Sequence, residues 1–271
     1  MGFLLNMHMR FTEFPTLIQE GGNIFKTPQG TSATTKIARA DIVPTLRLLE
    51  PALGIPLVDA ILGSAGKKAH SGDIDISVDA TQITKDELTQ KLKQWVKQVH
   101  QQLPDDWVKK SGISVHFKMP IRNDPKKGYV QIDFMFDPDP TWMKFSMYSA
   151  GDTSAYSGAD RNMIMSSIAK AQGLKYSWQK GLIRREDESL ISKDPDQIAA
   201  KLLGAQFDHT ALLSVETIHA ALDDRPELKA RMIQLANDLE SDRAPDGTLI
   251  KPGQLRVNQE EAARIRRLIG A

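Results

Sequence analysis

Asp73 and Asp75 stand one residue apart in the run Gly72-Asp73-Ile74-Asp75-Ile76. Residues two apart in a strand project from the same face. Ile74 and Ile76 are therefore expected to face a core while both carboxylates stand together on the opposite side. Like charges that close are costly unless a cation lies between them. Magnesium, a hard ion that takes oxygen ligands and shares them with phosphate, suits such a pair. A third carboxylate, Asp133, sits in a similar apolar stretch, Val130-Gln131-Ile132-Asp133-Phe134. Upstream, Gly63-Ser64 precedes Asp73, with Lys67 and Lys68 in between. A Gly-Ser turn lets backbone N–H groups approach a phosphate, Ser64 adds a hydroxyl, and the lysines add positive charge. Taken alone, an Asp-x-Asp pair reads first as a solvent-facing pair after a surface turn. Together with the turn, the lysines and the third carboxylate, it points to phosphoryl or nucleotidyl transfer.

The elements that must hold these groups follow from periodicity. A helix is expected from Asp41, with Ile42, Leu46 and Leu49 on one face and Pro44 in its first turn; Gly54 and Pro56 end it. Leu57–Leu62 reads as a first strand running into the Gly63-Ser64 turn, and Ile74–Val78 as a second. Thr84 to Leu103 reads as a helix with an apolar stripe of Leu88, Leu92, Trp95, Val96, Val99 and Leu103. Ile113–Met119 alternates like a strand and is joined by a turn-rich segment to the Asp133 strand, which reads as a hairpin. Beyond Gly151 the pattern is mostly helical: Asp160–Gln172, Asp194 to Gly204, Ser214–Leu222, Pro226–Leu239, and a last helix opened by an Asn258/Glu261 capping box. The expected class is α+β, a mixed sheet with helices followed by a mostly helical lobe. The boundaries are an N-terminal arm (1–40) with a Gly/Thr-rich loop at 21–36, a domain carrying the carboxylates (41–150) and a helical C-terminal lobe (151–271).

Composition narrows the partners. A formal net charge of +1 gives no global basic excess, so nucleic-acid binding would need a local patch. With no cysteine, disulfides and cysteine-ligated zinc are excluded. The apolar start Met1 to Leu5 is too short for a signal segment or a membrane span, and Asn6 breaks an N-myristoylation signal at Gly2. A cytoplasmic protein with no membrane partner is expected, in the host cytoplasm if viral.

The constellation resembles the nucleotidyltransferase superfamily of DNA polymerase beta, whose hallmark is h-G-S, a spacer, h-D-h-D-h and a third acidic strand. Gly63-Ser64, Lys67-Lys68 and Gly72-Asp73-Ile74-Asp75 are similar to the family-X run Gly-Ser-x-Arg-Arg-Gly…Gly-Asp-x-Asp, with lysines for arginines and a slightly shorter spacer. Tyr129 to Phe134 is similar to that family's third catalytic strand. Farther on, Tyr156-Ser157-Gly158, Asn162 and Lys170 to Leu174 resemble its thumb segment, although Arg161 stands where an aromatic is expected. Asp196 to Gly204 resembles its Asp-Ile-Phe-x-x-Leu-Gly helix. The likeness covers about residues 57–205. Nothing before residue 57 resembles the template-gripping helix-hairpin-helix domains.

The resemblance implies a palm and a thumb-like lobe. It implies two Mg2+ ions, with Mn2+ as a substitute, held by Asp73, Asp75 and Asp133, and in-line transfer of a nucleotide from a nucleoside triphosphate with release of pyrophosphate. Gly63, Ser64, Lys67, Lys68 and Gly72 would face the phosphates, and Tyr156, Gly158 and Asn162 the nucleotide. The acceptor it favours is a DNA or RNA 3′ end, with Arg184, Arg185 and the cluster of Arg264, Arg266 and Arg267 as candidate phosphate contacts. Two other readings stand beside it: transfer to a protein or small molecule, and a non-catalytic virus- or phage-assembly protein. His70, Trp142, Phe145, Tyr148 and Trp178 are weaker candidates, since a loop histidine and aromatics near helix ends have ordinary structural roles.

Overall fold

A computed structural model describes residues 23–244 and 246–271; most of the expected N-terminal arm, residues 1–22, lies outside them. The chain is of the α+β class. Its first half runs β1 (Ile37–Ala38), α1 (Arg39–Arg47), α2 (Glu50–Leu53), β2 (His70–Ser71), β3 (Asp73–Asp79), α3 (Lys85–His100), β4 (Val108–Ser111), β5 (Ser114–Pro120) and β6 (Tyr129–Asp137). The second half runs α4 (Pro140–Ser146), α5 (Gly158–Ala171), β7 (Leu174–Ser177), β8 (Gly181–Arg184), β9 (Leu190–Ser192), α6 (Pro195–Leu203), α7 (Val215–Asp223), α8 (Pro226–Glu240) and α9 (Pro252–Ile269).

The principal sheet has the order β3-β6-β5-β4, with β3 parallel to β6 and the other pairs antiparallel. The mixed sheet and the β5–β6 hairpin are as the pattern predicts. One face carries Ile74, Ile76, Val78, Val115, Phe117, Val130, Ile132 and Phe134, all buried against α1, α2 and α3. Burial of each such side chain contributes roughly 1.5–3 kcal/mol, which fixes the register of the whole sheet. Helix α3 opens on Thr84, whose side chain accepts from Glu87 N–H while Glu87 reaches back to Thr84 N–H. Leu88, Leu92, Trp95 and Val96 form the buried stripe.

Several expectations are corrected. Leu57–Leu62 is not a strand: Val58–Ala60 is a 3-10 turn, because the Glu50 carboxylate accepts from both Leu57 N–H (2.7 Å) and Val58 N–H (3.1 Å). The segment meets β3 at its end alone, through one bridge from Ile61 to Ile76 and the Leu62 N–H bond to the Asp75 carbonyl. Helix α1 begins at Arg39, two residues early, so Pro44 lies inside it; the Arg122 guanidinium donates to the Ala40 carbonyl at 3.2 Å, the acceptor that Pro44 cannot serve. Helix α3 stops at His100 on left-handed Gln101, which leaves Leu103 exposed. Strand β4 and helix α4 have no counterpart among the elements the sequence pattern predicts. The C-terminal half contains an antiparallel sheet of order β7-β8-β9 among its helices. Helix α9 starts at Pro252 rather than at Asn258; Asn258 and Glu261 are buried in its interior.

A second apolar core gathers Trp142, Ile164, Ile168, Ile198, Leu202, Ile218, Met232 and Ile265. Leu62, Met135 and Met143 form a small cluster beside Trp178 and Met147, where the sheet's open face meets α4. Among the described residues, no helix is long and apolar enough to cross a membrane.

Candidate active site

The open face of the principal sheet carries the odd-numbered residues of β3 and β6. In the parallel register Asp75 lies directly beside Asp133 and Asp73 beside Gln131. Adjacent strands are about 4.8 Å apart, so all three carboxylates belong to one patch of one face. The antiparallel β5–β6 register adds His116 next to Asp133, and the β4–β5 register adds Lys109 next to His116. One cross-strand row thus reads Asp75, Asp133, His116, Lys109.

The Gly63-Ser64 turn is stitched to this patch from both sides. Leu62 N–H donates to the Asp75 carbonyl at 2.8 Å, and Gly63 bridges to Tyr148. Gly63 has a φ of 63°, the left-handed region where glycine is at ease. A Cβ placed there would stand 3.8 Å from Asp75 Oδ2, which puts the Asp75 carboxylate beside the turn. The loop after it is pinned by Arg39, whose guanidinium donates to the carbonyls of Lys67 (2.6 Å) and Lys68 (3.1 Å) and pairs with Asp152.

A cleft of about 360 Å³ opens here, within the range of small-ligand sites, roughly 300–1,000 Å³. Ser64, Lys68, His70, Ser71, Gly72 and Asp73 line it. Thr34, Lys36 and Asn23 of the N-terminal segment, together with Gln131, complete the lining. Lys67 is not part of it. Its ammonium donates to the Ser149 carbonyl at 2.7 Å and sits 4.2 Å from the Tyr148 ring centre. Desolvation of that ammonium holds its pKa below the usual lysine value. Of the two lysines, Lys68 faces the cleft and Lys67 ties the turn to the segment before α5.

Tyr156, Gly158 and Asn162 do not line this cleft either. Tyr156 and Gly158 border a shallow hollow with Ser149, Arg161 and Ser214, and Asn162 donates to the Ser146 carbonyl at 3.0 Å. Gly158 is there for closeness: a Cβ would come within 3.1 Å of the Tyr148 carbonyl. Arg161 is buried, its guanidinium 4.6 Å from the Phe145 ring centre. Trp142 and Phe145 belong to the second core. The arginine cluster is engaged internally: Arg264 and Arg267 each reach Asp160 at 2.9 Å, and Arg266 reaches Glu240 at 2.9 Å. Arg184 and Arg185 are exposed.

The donor set on the acidic face, carboxylate oxygens on neighbouring strands, matches what a hard divalent cation takes. The side chains are not drawn around a common point, and among the described residues no group of three or more His, Cys, Asp or Glu is gathered as a metal cage. Asp133 is instead held by His116 Nδ1 at 2.7 Å and by Gln131 Nε2 at 3.0 Å.

His116, Gln131 and Lys36 escaped the sequence reading. His116 alternates with Val115 and Phe117, so its face could be inferred, but its alignment with Asp133 depends on a hairpin connection of two 3-10 turns. Lys36 reaches the cleft because Ile37 pairs with Ser71, a two-residue ribbon too short to leave a pattern. No protein-family model matches the chain, and no curated protein matches it.

Proposed function

We propose that this chain is a metal-dependent nucleotidyltransferase of the polymerase beta type, with a palm-like sheet and a thumb-like second lobe. It moves a nucleoside monophosphate from an NTP or dNTP to an acceptor hydroxyl. The observation that carries the reading is the register of β3 on β6: Asp75 beside Asp133, Asp73 on the same face, and the Gly63-Ser64 turn against Asp75.

In this reading the triphosphate enters the cleft. Ser64 and backbone N–H groups of the turn bind its β- and γ-phosphates, with Lys68 and Lys36 supplying charge. The acceptor oxygen bonds to the α-phosphorus, the bond from that phosphorus to the bridging oxygen breaks, and pyrophosphate leaves. Asp133 takes the proton of the attacking hydroxyl. Asp73, Asp75 and Asp133 would hold Mg2+, which when bound supplies positive charge against the charge that builds on the attacking and leaving oxygens.

A nucleic-acid 3′ end is the acceptor this reading favours. A protein or small-molecule acceptor stands as the second reading for a specific reason. Arg264, Arg266 and Arg267 each pair with a carboxylate of this chain, and of the candidate arginines Arg184, Arg185 and Arg267 are exposed. Nucleoside triphosphates labelled at the α-phosphate, supplied with Mg2+ and a panel of DNA and RNA primers, separate the two. Label on a primer supports the polymer acceptor. Label on protein or on a small molecule moves the acceptor assignment, and no label on any acceptor removes the function.

A further inference from the structure

Asp133 is gripped at both oxygens. His116 Nδ1 lies 2.7 Å from Oδ1, and Gln131 Nε2 donates to Oδ2 at 3.0 Å. The orientation of the Gln131 amide is set at its other end, where Oε1 accepts the Ile24 N–H at 3.0 Å. An ionised carboxylate can only accept, so the bond to His116 requires the proton on Nδ1. One donor on each oxygen blocks rotation of the carboxylate and leaves a further lone pair on each oxygen for other partners. The His116 and Asp133 side chains are each only 14% exposed, so water competes weakly for their bond. Of the three carboxylates, the register puts only Asp133 next to β5, since β3 with Asp73 and Asp75 lies on the far side of β6.

The geometry points to His116 as a positioning residue of the transfer site, which aims Asp133 at the cation and at the attacking hydroxyl. The inference rests on the function proposed above, and His116 acts only through Asp133. Partners of this kind, one step removed from a metal, typically carry 10–100-fold in metal affinity or rate.

The test uses the intact chain. Mn2+ affinity without nucleotide is read from the electron-paramagnetic signal of free Mn2+, and kcat and KM for the triphosphate are measured separately. The variants are His116→Leu, His116→Gln and Asp133→Asn. For His116→Leu, Mn2+ affinity should fall roughly 10–100-fold and kcat should fall while KM stays close to wild type. His116→Gln, which keeps an N–H donor, should recover most of both. Should His116→Leu melt far below wild type in EDTA, His116→Ala with and without added imidazole decides: restored Mn2+ affinity supports the role and no restoration overturns it. Mn2+ binding unchanged in His116→Leu but lost in Asp133→Asn would overturn the role of His116 and leave the site standing. No Mn2+ binding by wild type would remove the site reading and the inference with it.

Discussion

Lys67 and Lys68 carry the same side chain and differ in what their ammonium groups touch. Lys68 borders the cleft beside Ser64 and Asp73, whereas Lys67 donates to the Ser149 carbonyl under the Tyr148 ring. Two separable outcomes are expected. Lys68→Ala should weaken triphosphate binding by about 1.5–3 kcal/mol, the scale of a charge-assisted hydrogen bond, and monophosphate binding much less. Lys67→Met should instead lower stability by about 1 kcal/mol, with triphosphate affinity nearly kept. Calorimetric titration and thermal melting distinguish them, and equal losses for the two nucleotides in Lys68→Ala would take that lysine away from the phosphates. At this scale the sequence was legible where strand parity decides, because Asp73, Asp75 and Asp133 need only alternation to share a face. It was silent where side-chain direction depends on a distant segment, as for Lys67 turning towards Ser149.

Among the elements, α9 and α5 are bound through charge. Asp160, near the start of α5, is pushed up by its own burial. Hydrogen bonds from Ser157 and the Arg264 guanidinium together outweigh that and hold its carboxyl below the usual aspartate range. The unfolded chain, with a carboxyl near pKa 3.9, therefore binds more protons across that window. The stabilisation is present above the unfolded value and drains away as pH falls through the folded one. Asp160→Asn should lower the melting temperature near neutral pH and flatten its fall on acidification, measured by calorimetry from about pH 7 to 2. An acid limb as steep as wild type would contradict this.

Lys170 of α5 and Glu261 of α9 form a second link at 3.2 Å. Burial is the largest influence on both, lowering the lysine and raising the glutamate against their mutual attraction. Lys170→Met or Glu261→Leu alone should cost about 3–5 kcal/mol, and the double variant less than either; additive losses in urea unfolding would argue against a coupled pair. Helices α6 and α7 were legible close to their openings, where Asp194 and Ser214 each accept from the first turn, whereas α5, expected from Asp160, opens two residues earlier on the Ser157 cap. The Asn258/Glu261 spacing imitates a cap inside α9 because proline at Pro252 had already opened the helix. Strands β7, β8 and β9 are three or four residues long, too short for alternation to separate them from helix or turn. β4 is an edge strand carrying Lys109 and Lys110, a protected edge that reads as loop.

Over the whole molecule, one sheet face is buried and the other carries the acidic row, with the Gly63–Tyr148 bridge and the Leu62, Met135 and Met143 cluster joining it to the second core. With a net charge of +1 and most of the C-terminal arginines committed, any grip on nucleic acid must come from a few phosphate contacts. Oligonucleotide affinity should therefore fall with log salt at a small slope, about 0.7–0.9 for each phosphate neutralised. No measurable binding at low salt beside clear triphosphate binding would favour the protein or small-molecule acceptor. The central claim is that the acidic row and the adjoining cleft form one transfer site. Crystals of the chain grown with Mn2+ and a triphosphate whose α–β bridge cannot be cleaved test it most directly. The account predicts anomalous Mn2+ peaks against Asp73, Asp75 and Asp133, with the β- and γ-phosphates at Ser64 and Lys68. A bound triphosphate away from this cleft, or Mn2+ peaks that avoid these three carboxylates, would contradict it.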